Sequence, residues 1–198
     1  MIGKIKKGRS FGGCIRYVTQ KDDAKIIASE GVLLGTAEEM AHSFRWQCLL
    51  NPDVAKPVGH IALSFKPEDA PRLTDAFMAS LAEEYLKLMG IRNTQFIVVR
   101  HHGTDNPHCH IVFNRVDFDG KVISDSNDFR RNERVTKMLK DKYSLTYSEG
   151  KQSVKTEKLH ASERVKYEIY RAVKEALRSA NTWKEFQNKL LKMGVEME

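Results

Sequence analysis

The chain has 198 residues and a formal charge of +7, which fits one ordinary globular domain with room for a small appendage. It contains no run of about 18 to 20 apolar residues, the length that a transmembrane helix needs, and residues 1–4 lead into charge rather than into an apolar signal core. Membrane insertion and secretion are therefore not expected. Three irregularly spaced cysteines exclude a disulfide framework and a cysteine-based zinc site, so we expect a reducing cytoplasm.

The positive charge is concentrated in three segments. Residues 1–25 carry seven basic and two acidic side chains, residues 129–142 carry six and two, and residues 151–198 carry eleven and seven. Clusters of this kind suit a polyanion such as nucleic acid. Solvated helix faces and loops produce the same pattern, so charge alone leaves both interpretations open.

Hydrophobic periodicity predicts alternating strands and helices in the first half of the chain. Apolar and polar residues alternate over residues 2–6, which indicates a strand, and a short helical stretch follows near Cys14. Residues 24–34 are predicted to be extended. Thr36 and Glu39 have the spacing of a capping box, which begins a helix that Pro52 prevents from continuing. Residues 58–65 are predicted to form the next strand.

The second half contains two adjacent strands and then helices. Pro71 fits the first turn of a long helix that ends at Gly90. Residues 95–101 and 108–116 are apolar, β-branched runs with a short connection, which predicts an antiparallel pair. Helices are predicted at 127–142, 160–179 and 182–193, the last with Thr182 as its N-cap. This order indicates an α+β protein with a mostly antiparallel sheet and helices on one face.

The lysine-rich segment 150–156 is the predicted linker. It would separate a domain at residues 1–149 from a helical C-terminal extension at residues 150–198. The chain stops soon after the last predicted helix, so we expect it to be the start of a longer protein.

Four of the seven histidines fall within residues 101–110. Side chains alternate across a strand, so His108 and His110 should point to one side of the sheet and Cys109 to the other. The preceding strand ends at His101, which would bring a third imidazole beside this pair. Such a set predicts a divalent metal site with open coordination positions. A lone strand histidine is more often a surface or hydrogen-bonded residue, and the third histidine shifts the balance toward metal binding.

A metal ion held by neutral imidazoles keeps its positive charge and can polarise a phosphoryl oxygen, so a nucleophile is needed nearby. Tyr17 is the candidate, because it lies on a glycine-flanked segment with Arg16 and Lys21 close by to hold a phosphate. A phenol is a weak nucleophile at neutral pH, so a nearby cation or base must activate it. By itself Tyr17 would more often be a packed amphipathic side chain.

Three segments resemble motifs of the HUH relaxases, the mobilization endonucleases of conjugative and mobilizable elements. Residues 101–115 resemble the histidine motif of that family, which runs approximately His-x-Asp-x-x-Asn-Pro-His-x-His-Ile-Val-x-Asn-Arg. Residues 11–18, which include Tyr17, resemble its first motif, and residues 60–69 resemble its second. The three segments occur in the family's order and fall within residues 1–145.

The resemblance implies a ferredoxin-like central antiparallel sheet with helices packed on it, plus C-terminal helices. It implies that Tyr17 attacks one phosphodiester of single-stranded DNA at a transfer origin and forms a 5′-phosphotyrosine link. A divalent ion would be held by His101, His108 and His110; Mg or Mn is expected, and imidazoles also accept Ni, Co or Zn. Accessory relaxosome proteins and a coupling protein would be the partners, in the bacterial cytoplasm.

Further residues are expected around the metal ligands or against the DNA. By analogy with the family, Ser64 would lie near the DNA backbone. His60 would touch DNA, orient the tyrosine or make a structural hydrogen bond. The other candidates are Arg16, Lys21, Asn114, Arg130 and Arg131, the last two on a basic helix that could follow the phosphate backbone.

The histidine motif departs from the family's pattern at one position. The family often has Asp where this chain has Gly103. Either Asp105 replaces that carboxylate or the surroundings of the ligands differ. His102 is an alternative third ligand, but the family's spacing to His108 favours His101.

Three other functions stay open. A rolling-circle replication initiator or a single-strand transposase uses similar chemistry, but its tyrosine usually follows the histidines, whereas Tyr17 precedes them. A DNA-binding module with a structural metal would bind DNA without cutting it. A metal-dependent hydrolase would cut with activated water and form no covalent adduct.

Overall fold

One five-stranded antiparallel sheet forms the centre of the fold. The structure, a computed structural model, describes residues 1–147 and 161–197. Every pair of neighbouring strands is antiparallel, and the order across the sheet is β1-β3-β5-β4-β2. The expected α+β architecture is therefore confirmed. The strands are β1 (Ile2–Gly8), β2 (Ala24–Glu30), β3 (Val58–Ser64), β4 (Phe96–His101) and β5 (His108–Asn114).

Six α-helices lie within the described residues. The predicted capping box begins the second of them: the Thr36 hydroxyl accepts from Glu39 N at 3.3 Å, and the Glu39 carboxylate accepts from Thr36 N at 2.7 Å. Thr182 caps the last helix in the predicted manner, accepting from Glu185 N at 3.2 Å. The helices are α1 (Phe11–Thr19), α2 (Ala37–Cys48), α3 (Asp75–Leu88), α4 (Asp128–Tyr143), α5 (Ala161–Ser179) and α6 (Trp183–Lys192).

The prediction that Pro71 opens the long helix is wrong. Pro71 lies in a short 3-10 helix, Pro67–Arg72, and α3 begins only after Thr74. The Thr74 hydroxyl accepts from Phe77 N at 3.2 Å. This bond satisfies an amide that the first turn of the helix leaves unpaired. A proline side chain has no acceptor atom and could not make such a bond. The end of α3 is as predicted, because Gly90 has a φ of 73°, a left-handed conformation that favours glycine.

Helices cover both faces of the sheet, so the prediction of one covered face is also wrong. Ile111 and Phe113 of β5 belong to a core that includes residues of α3 and α4, whereas Val112 belongs to a core that includes residues of α1 and α2. Consecutive strand residues point to opposite sides, so each strand contributes to both cores. The side covered by α1 and α2 is called the histidine face here, because it carries His60, His101, His108 and His110.

The described contacts divide the chain into two units, Met1–Ser148 and Glu149–Glu198. Within the second unit, α5 and α6 bury a small apolar cluster of Ala172, Ala176, Phe186 and Leu190. The linker predicted at residues 150–156 lies outside the described residues. Across the described ranges, no helix is long and apolar enough to cross a membrane.

Candidate functional site

Three histidines converge at one end of the histidine face. His101 ends β4 and His108 begins β5, and the ladder between these strands pairs the two residues. His110 lies two residues further along β5 and therefore points to the same side, while Cys109 is buried in the opposite core. One ligand atom from each histidine lies within 4.8 Å of the others. Three ring nitrogens at this spacing can share one metal ion.

Each imidazole of this triad is held through a ring nitrogen that faces away from the ion position. His101 Nε2 donates to the Val18 carbonyl at 2.8 Å, which leaves Nδ1 free, 3.2 Å from His108 Nε2. His108 Nδ1 lies 3.1 Å from the Asn106 carbonyl, and His110 Nδ1 lies 3.0 Å from His60 Nε2. A ring nitrogen that donates to a carbonyl leaves the other nitrogen unprotonated and able to bind metal. The donor set therefore fits a divalent ion.

Burial favours the neutral form of two rings of the triad, His108 and His110. Desolvation is the main cause that lowers the pKa of His110 to about 3, and the charges of the neighbouring histidines and Lys21 act in the same direction. Burial also lowers the pKa of His108 and the pKa of His60. Neutral imidazole is the form that coordinates metal, so these rings are ready to bind an ion at neutral pH.

Tyr17 lies beside the triad. Its helix, α1, begins with Ser10 as N-cap and packs Phe11, Ile15 and Val18 inward, and this periodicity leaves the Tyr17 side chain 61% exposed. The Tyr17 ring meets two histidine rings edge-on, with centroid distances of 5.7 Å to His110 and 6.0 Å to His60. The structure thus brings together the predicted nucleophile and the predicted metal ligands.

His60 and Ser64 both lie on β3, next to β5. Ser64 is the register partner of His108, and His60 lies four residues away on the same face. Of the roles considered for His60, the geometry shows a hydrogen bond to the predicted ligand His110 and a ring contact with Tyr17. Ser64 is half-buried beside the triad.

Two basic residues flank the tyrosine. Arg16 is exposed on α1, and Lys21 is exposed in the turn between α1 and β2. Lys21 is near enough to the triad for its charge to contribute, after burial, to the lowered pKa of His108 and of His110. Lys21 therefore adds positive charge beside the triad, where a phosphate bound at Tyr17 would lie.

The connection between β4 and β5 agrees with the prediction for His102 and differs from the expectation for Asp105. His102 turns away from the triad, with its Nε2 atom 3.5 Å from Asp75 Oδ1. Asp105 is exposed, and no hydrogen bond or ion pair among the described residues joins it to the triad. The carboxylate beside Gly103 belongs to Asp23, whose Oδ2 accepts from Gly103 N at 2.6 Å. The expectation that Asp105 replaces the missing carboxylate is therefore wrong, because Asp23 occupies that place.

Sequence reasoning missed Asp23 for a simple reason. Asp23 and Gly103 are 80 residues apart, and no periodic pattern connects positions so distant. The only local signal was the absence of a carboxylate at position 103.

Three other candidates lie away from the triad. Asn114 is fully buried at the far end of β5, where it donates to the Phe44 carbonyl at 2.9 Å and accepts from Val116 N at 3.1 Å. A side chain with no exposed surface does not contact DNA, so its role is corrected to a structural one. Arg130 and Arg131 lie on α4, which packs on the side opposite the histidine face. The structure does not bring these arginines to the triad.

An antiparallel sheet that presents three convergent imidazoles beside an exposed tyrosine has the parts of a metal-assisted phosphoryl-transfer site. The family model for relaxases, described as the MobA/VirD2-like nuclease domain, matches residues 17–145. The match covers more than half of the chain, including Tyr17 and the triad, so the chain belongs to the relaxase family. It is thus a DNA-nicking relaxase domain in general terms. No similar protein was found among the curated proteins.

Proposed function

We propose that this chain nicks one strand of DNA at a transfer origin by transesterification, and so starts conjugative mobilization. The observation that carries the proposal is the position of Tyr17, whose ring centroid is 5.7 Å from that of His110 in a triad suited to a metal ion. A tyrosine so close to this triad on the exposed side is reachable by a DNA strand. Membership of the relaxase family supports the same chemistry.

The proposed reaction exchanges one ester for another. The phenolic oxygen of Tyr17 forms a bond to phosphorus, and the bond between phosphorus and the 3′ oxygen breaks. The phenolic proton leaves the tyrosine, and the departing 3′ oxygen takes up a proton to become a hydroxyl. The products are a 5′-phosphotyrosine and a free 3′-hydroxyl. The number of ester bonds is unchanged, so the same site can rejoin the ends after transfer.

The surrounding residues have separate roles in this proposal. His101, His108 and His110 would hold a divalent ion, Mg or Mn in function, with Ni, Co or Zn as alternatives. When bound, the ion supplies positive charge beside the oxygens of the scissile phosphate. The flanking cations attract the DNA backbone, and the side chains on β3 orient a ligand and line the strand's path. The flanking cations are Arg16 and Lys21, and the β3 side chains are His60, which orients His110, and Ser64, which lines the path of the DNA strand.

The test uses labelled single-stranded oligonucleotides that tile the candidate transfer origin. They are incubated with the protein and Mg or Mn, or with a chelator, and resolved on denaturing gels. We expect a covalent protein–DNA band, linked through a 5′-phosphate, that requires the metal. Tyr17→Phe should abolish both the nick and the adduct while DNA binding persists. Tyr147→Phe removes another exposed phenol, near α4, and should retain both.

The other outcomes correspond to the competing functions. Cleavage without an adduct would support a hydrolase that uses activated water, with Tyr17 as a bystander. DNA binding without cleavage, together with unfolding in chelator, would support a structural-metal module. An adduct formed at a replication origin or a transposon end would support a rolling-circle initiator or a single-strand transposase.

We also propose the wider setting that this function implies. The substrate would be single-stranded DNA at the transfer origin, in the bacterial cytoplasm. Accessory relaxosome proteins and a coupling protein would act with the chain. Copurification of such proteins with the relaxase from a cell that carries the element would test this setting.

A further inference from the structure

The turn between α1 and β2 binds the connection that joins the two ligand-bearing strands. Asp23 is the last residue of this turn. Its carboxylate Oδ2 accepts from Gly103 N at 2.6 Å, and its backbone carbonyl accepts from His102 N at 3.2 Å. One residue therefore binds the two consecutive amides that follow His101. Its neighbour Ala24 is the register partner of His101, so this contact continues the β2–β4 ladder past the end of β4.

Gly103 leaves the room that this carboxylate occupies. A Cβ atom at position 103 would lie 2.8 Å from Asp23 Oδ2, a separation that real Cβ atoms essentially never show. A side chain at position 103 and a carboxylate at position 23 therefore compete for the same space. The glycine in the histidine motif and the distant aspartate form one arrangement, in which the carboxylate comes from another segment of the chain.

The end of α1 also holds His101. The Val18 carbonyl, just before the turn, accepts from His101 Nε2 at 2.8 Å. His101 thus has its ring fixed by the end of α1 and its following amides fixed by Asp23. His108 lies at the other end of the connection, and its Nε2 atom is 3.2 Å from His101 Nδ1, close enough for the two nitrogens to share an ion.

Asp23 also places negative charge near the ligands. Its amide hydrogen bond from Gly103 is the main cause that keeps the pKa of the carboxyl below its usual range, and the charges of His101 and Lys21 act in the same direction. The carboxylate is therefore ionised at neutral pH. A negative charge close to a ligand set favours a bound cation.

We propose that Asp23 is a positioning residue for the metal centre: it fixes the chain after His101 so that His101 and His108 keep the spacing that one ion requires. This inference rests on the proposed role of the triad as a metal site. The histidine motif has no carboxylate at position 103, and in this proposal Asp23 of the α1–β2 turn supplies that carboxylate. Asp23 acts through the ligands and does not itself touch DNA or the ion.

The test measures Mn²⁺ affinity by calorimetry and the Mn²⁺ signal by electron paramagnetic resonance, using the full chain. Asp23→Ala should weaken Mn²⁺ binding by about 10- to 100-fold, the usual effect of losing a partner that supports metal ligands. Asp23→Asn keeps an oxygen that can accept from Gly103 N but loses the charge, so it should bind Mn²⁺ more tightly than Asp23→Ala and should keep the wild-type spectrum. Asp22→Ala removes the same charge from the adjacent exposed position and should bind like wild type.

Hydrogen exchange gives a second measurement that does not depend on metal. In the metal-free protein, Asp23→Ala should speed exchange of the His102 and Gly103 amides, while exchange within β3 is unchanged. His110→Ala removes a proposed ligand and should abolish Mn²⁺ binding, which tests the triad separately. If wild type binds Mn²⁺ and folded Asp23→Ala binds it equally well, the inference is overturned while the proposed function stands. If wild type binds none of Mn²⁺, Mg²⁺, Co²⁺, Ni²⁺ and Zn²⁺, the triad is not a metal site, and both this inference and the metal-dependent function are overturned.

Discussion

Buried polar side chains at the two ends of β5 serve different purposes. Around the triad, His101 and His110 are only 2% and 6% exposed, yet each keeps one ring nitrogen directed to a shared point. At the far end, Asn114 is completely enclosed, and its amide group bonds the Phe44 carbonyl and the Val116 amide. A buried polar group whose bonds are all made within the protein stabilises the fold. A buried group that keeps a free lone pair can bind a ligand.

Asn114→Ala should destabilise the protein by about 2–4 kcal/mol, because it leaves a buried carbonyl and a buried amide without partners. Urea denaturation would measure the loss. Asn51→Ala is the matched control, since it removes one half-buried hydrogen bond, 2.9 Å to the Gly120 carbonyl, and should cost less. DNA affinity of the folded Asn114→Ala protein should equal that of wild type. Weakened DNA binding at unchanged stability would restore Asn114 as a DNA-contacting residue.

At the scale of elements, α3 is tied to the sheet by its first residue. Asp75 bonds Lys25 Nζ on β2 and Arg100 Nη1 on β4, each at 2.8 Å. The Arg100 side chain is only 14% exposed, so its charge needs a nearby carboxylate. The start of this helix therefore depends on an ion pair as well as on the Thr74 cap.

The pKa of Asp75 is lowered by its hydrogen bond from Lys25 first and by Arg100 next. A carboxyl whose pKa is lower in the folded state stabilises the fold above its unfolded pKa of about 4, and this contribution disappears as the pH falls through the folded value. Asp75→Asn should therefore lose about 1 kcal/mol at neutral pH, given that Lys25 is largely exposed. Thermal melts of both proteins should converge in acid. A difference that grows in acid would contradict this assignment.

The element order could be predicted because hydrophobic periodicity and capping residues are local signals. Which sides of the sheet are covered could not be inferred from the order alone. The run Phe96 to Val99 is apolar at consecutive positions, a pattern typical of a strand covered on both sides, and it indicates this arrangement in retrospect. The triad could be predicted from the alternation of side chains along a strand and from the short connection between β4 and β5. The role of Asp23 could not be predicted, because only tertiary packing brings Asp23 to Gly103.

At the scale of the whole molecule, the basic residues near the tyrosine and those on α4 lie on different sides of the sheet. Arg16 and Lys21 flank Tyr17 next to the histidine face, whereas α4 packs against the other face. The charge clusters of the sequence therefore do not form one surface within the first unit. Even the cluster in residues 1–25 is divided, because Lys7 bonds Asp128 of α4 and Lys25 bonds Asp75 of α3, whereas Arg16 and Lys21 lie on or next to α1.

Lys21→Ala should reduce the slope of log affinity against log salt by about 0.7 for single-stranded DNA, because each phosphate contact releases about 0.7 of a counterion there. Arg16→Ala should have a similar effect. Arg130→Ala, on the opposite side of the sheet, is the charge-matched control and should leave the slope unchanged. Fluorescence anisotropy across a salt series would measure all three. A reduced slope for Arg130→Ala would mean that DNA wraps around the edge of the sheet to α4.

Residues 1–147 should fold and nick DNA without the remaining chain. The two cores that sandwich the sheet draw all their described members from this range, and the α5–α6 cluster is separate from them. Circular dichroism melts and the adduct assay would compare this fragment with the full chain. A fragment that remains unfolded would show that the C-terminal unit contributes to the stability of the sheet.

The carbonyl that accepts from His101 belongs to Val18, the residue directly after Tyr17. The proposed nucleophile is thus the chain neighbour of the residue that holds a proposed metal ligand. We therefore expect a movement of the last turn of α1 to displace the phenol and the imidazole together. Metal retention and nicking competence should consequently disappear in a single step as the protein is warmed, and return in a single step on cooling.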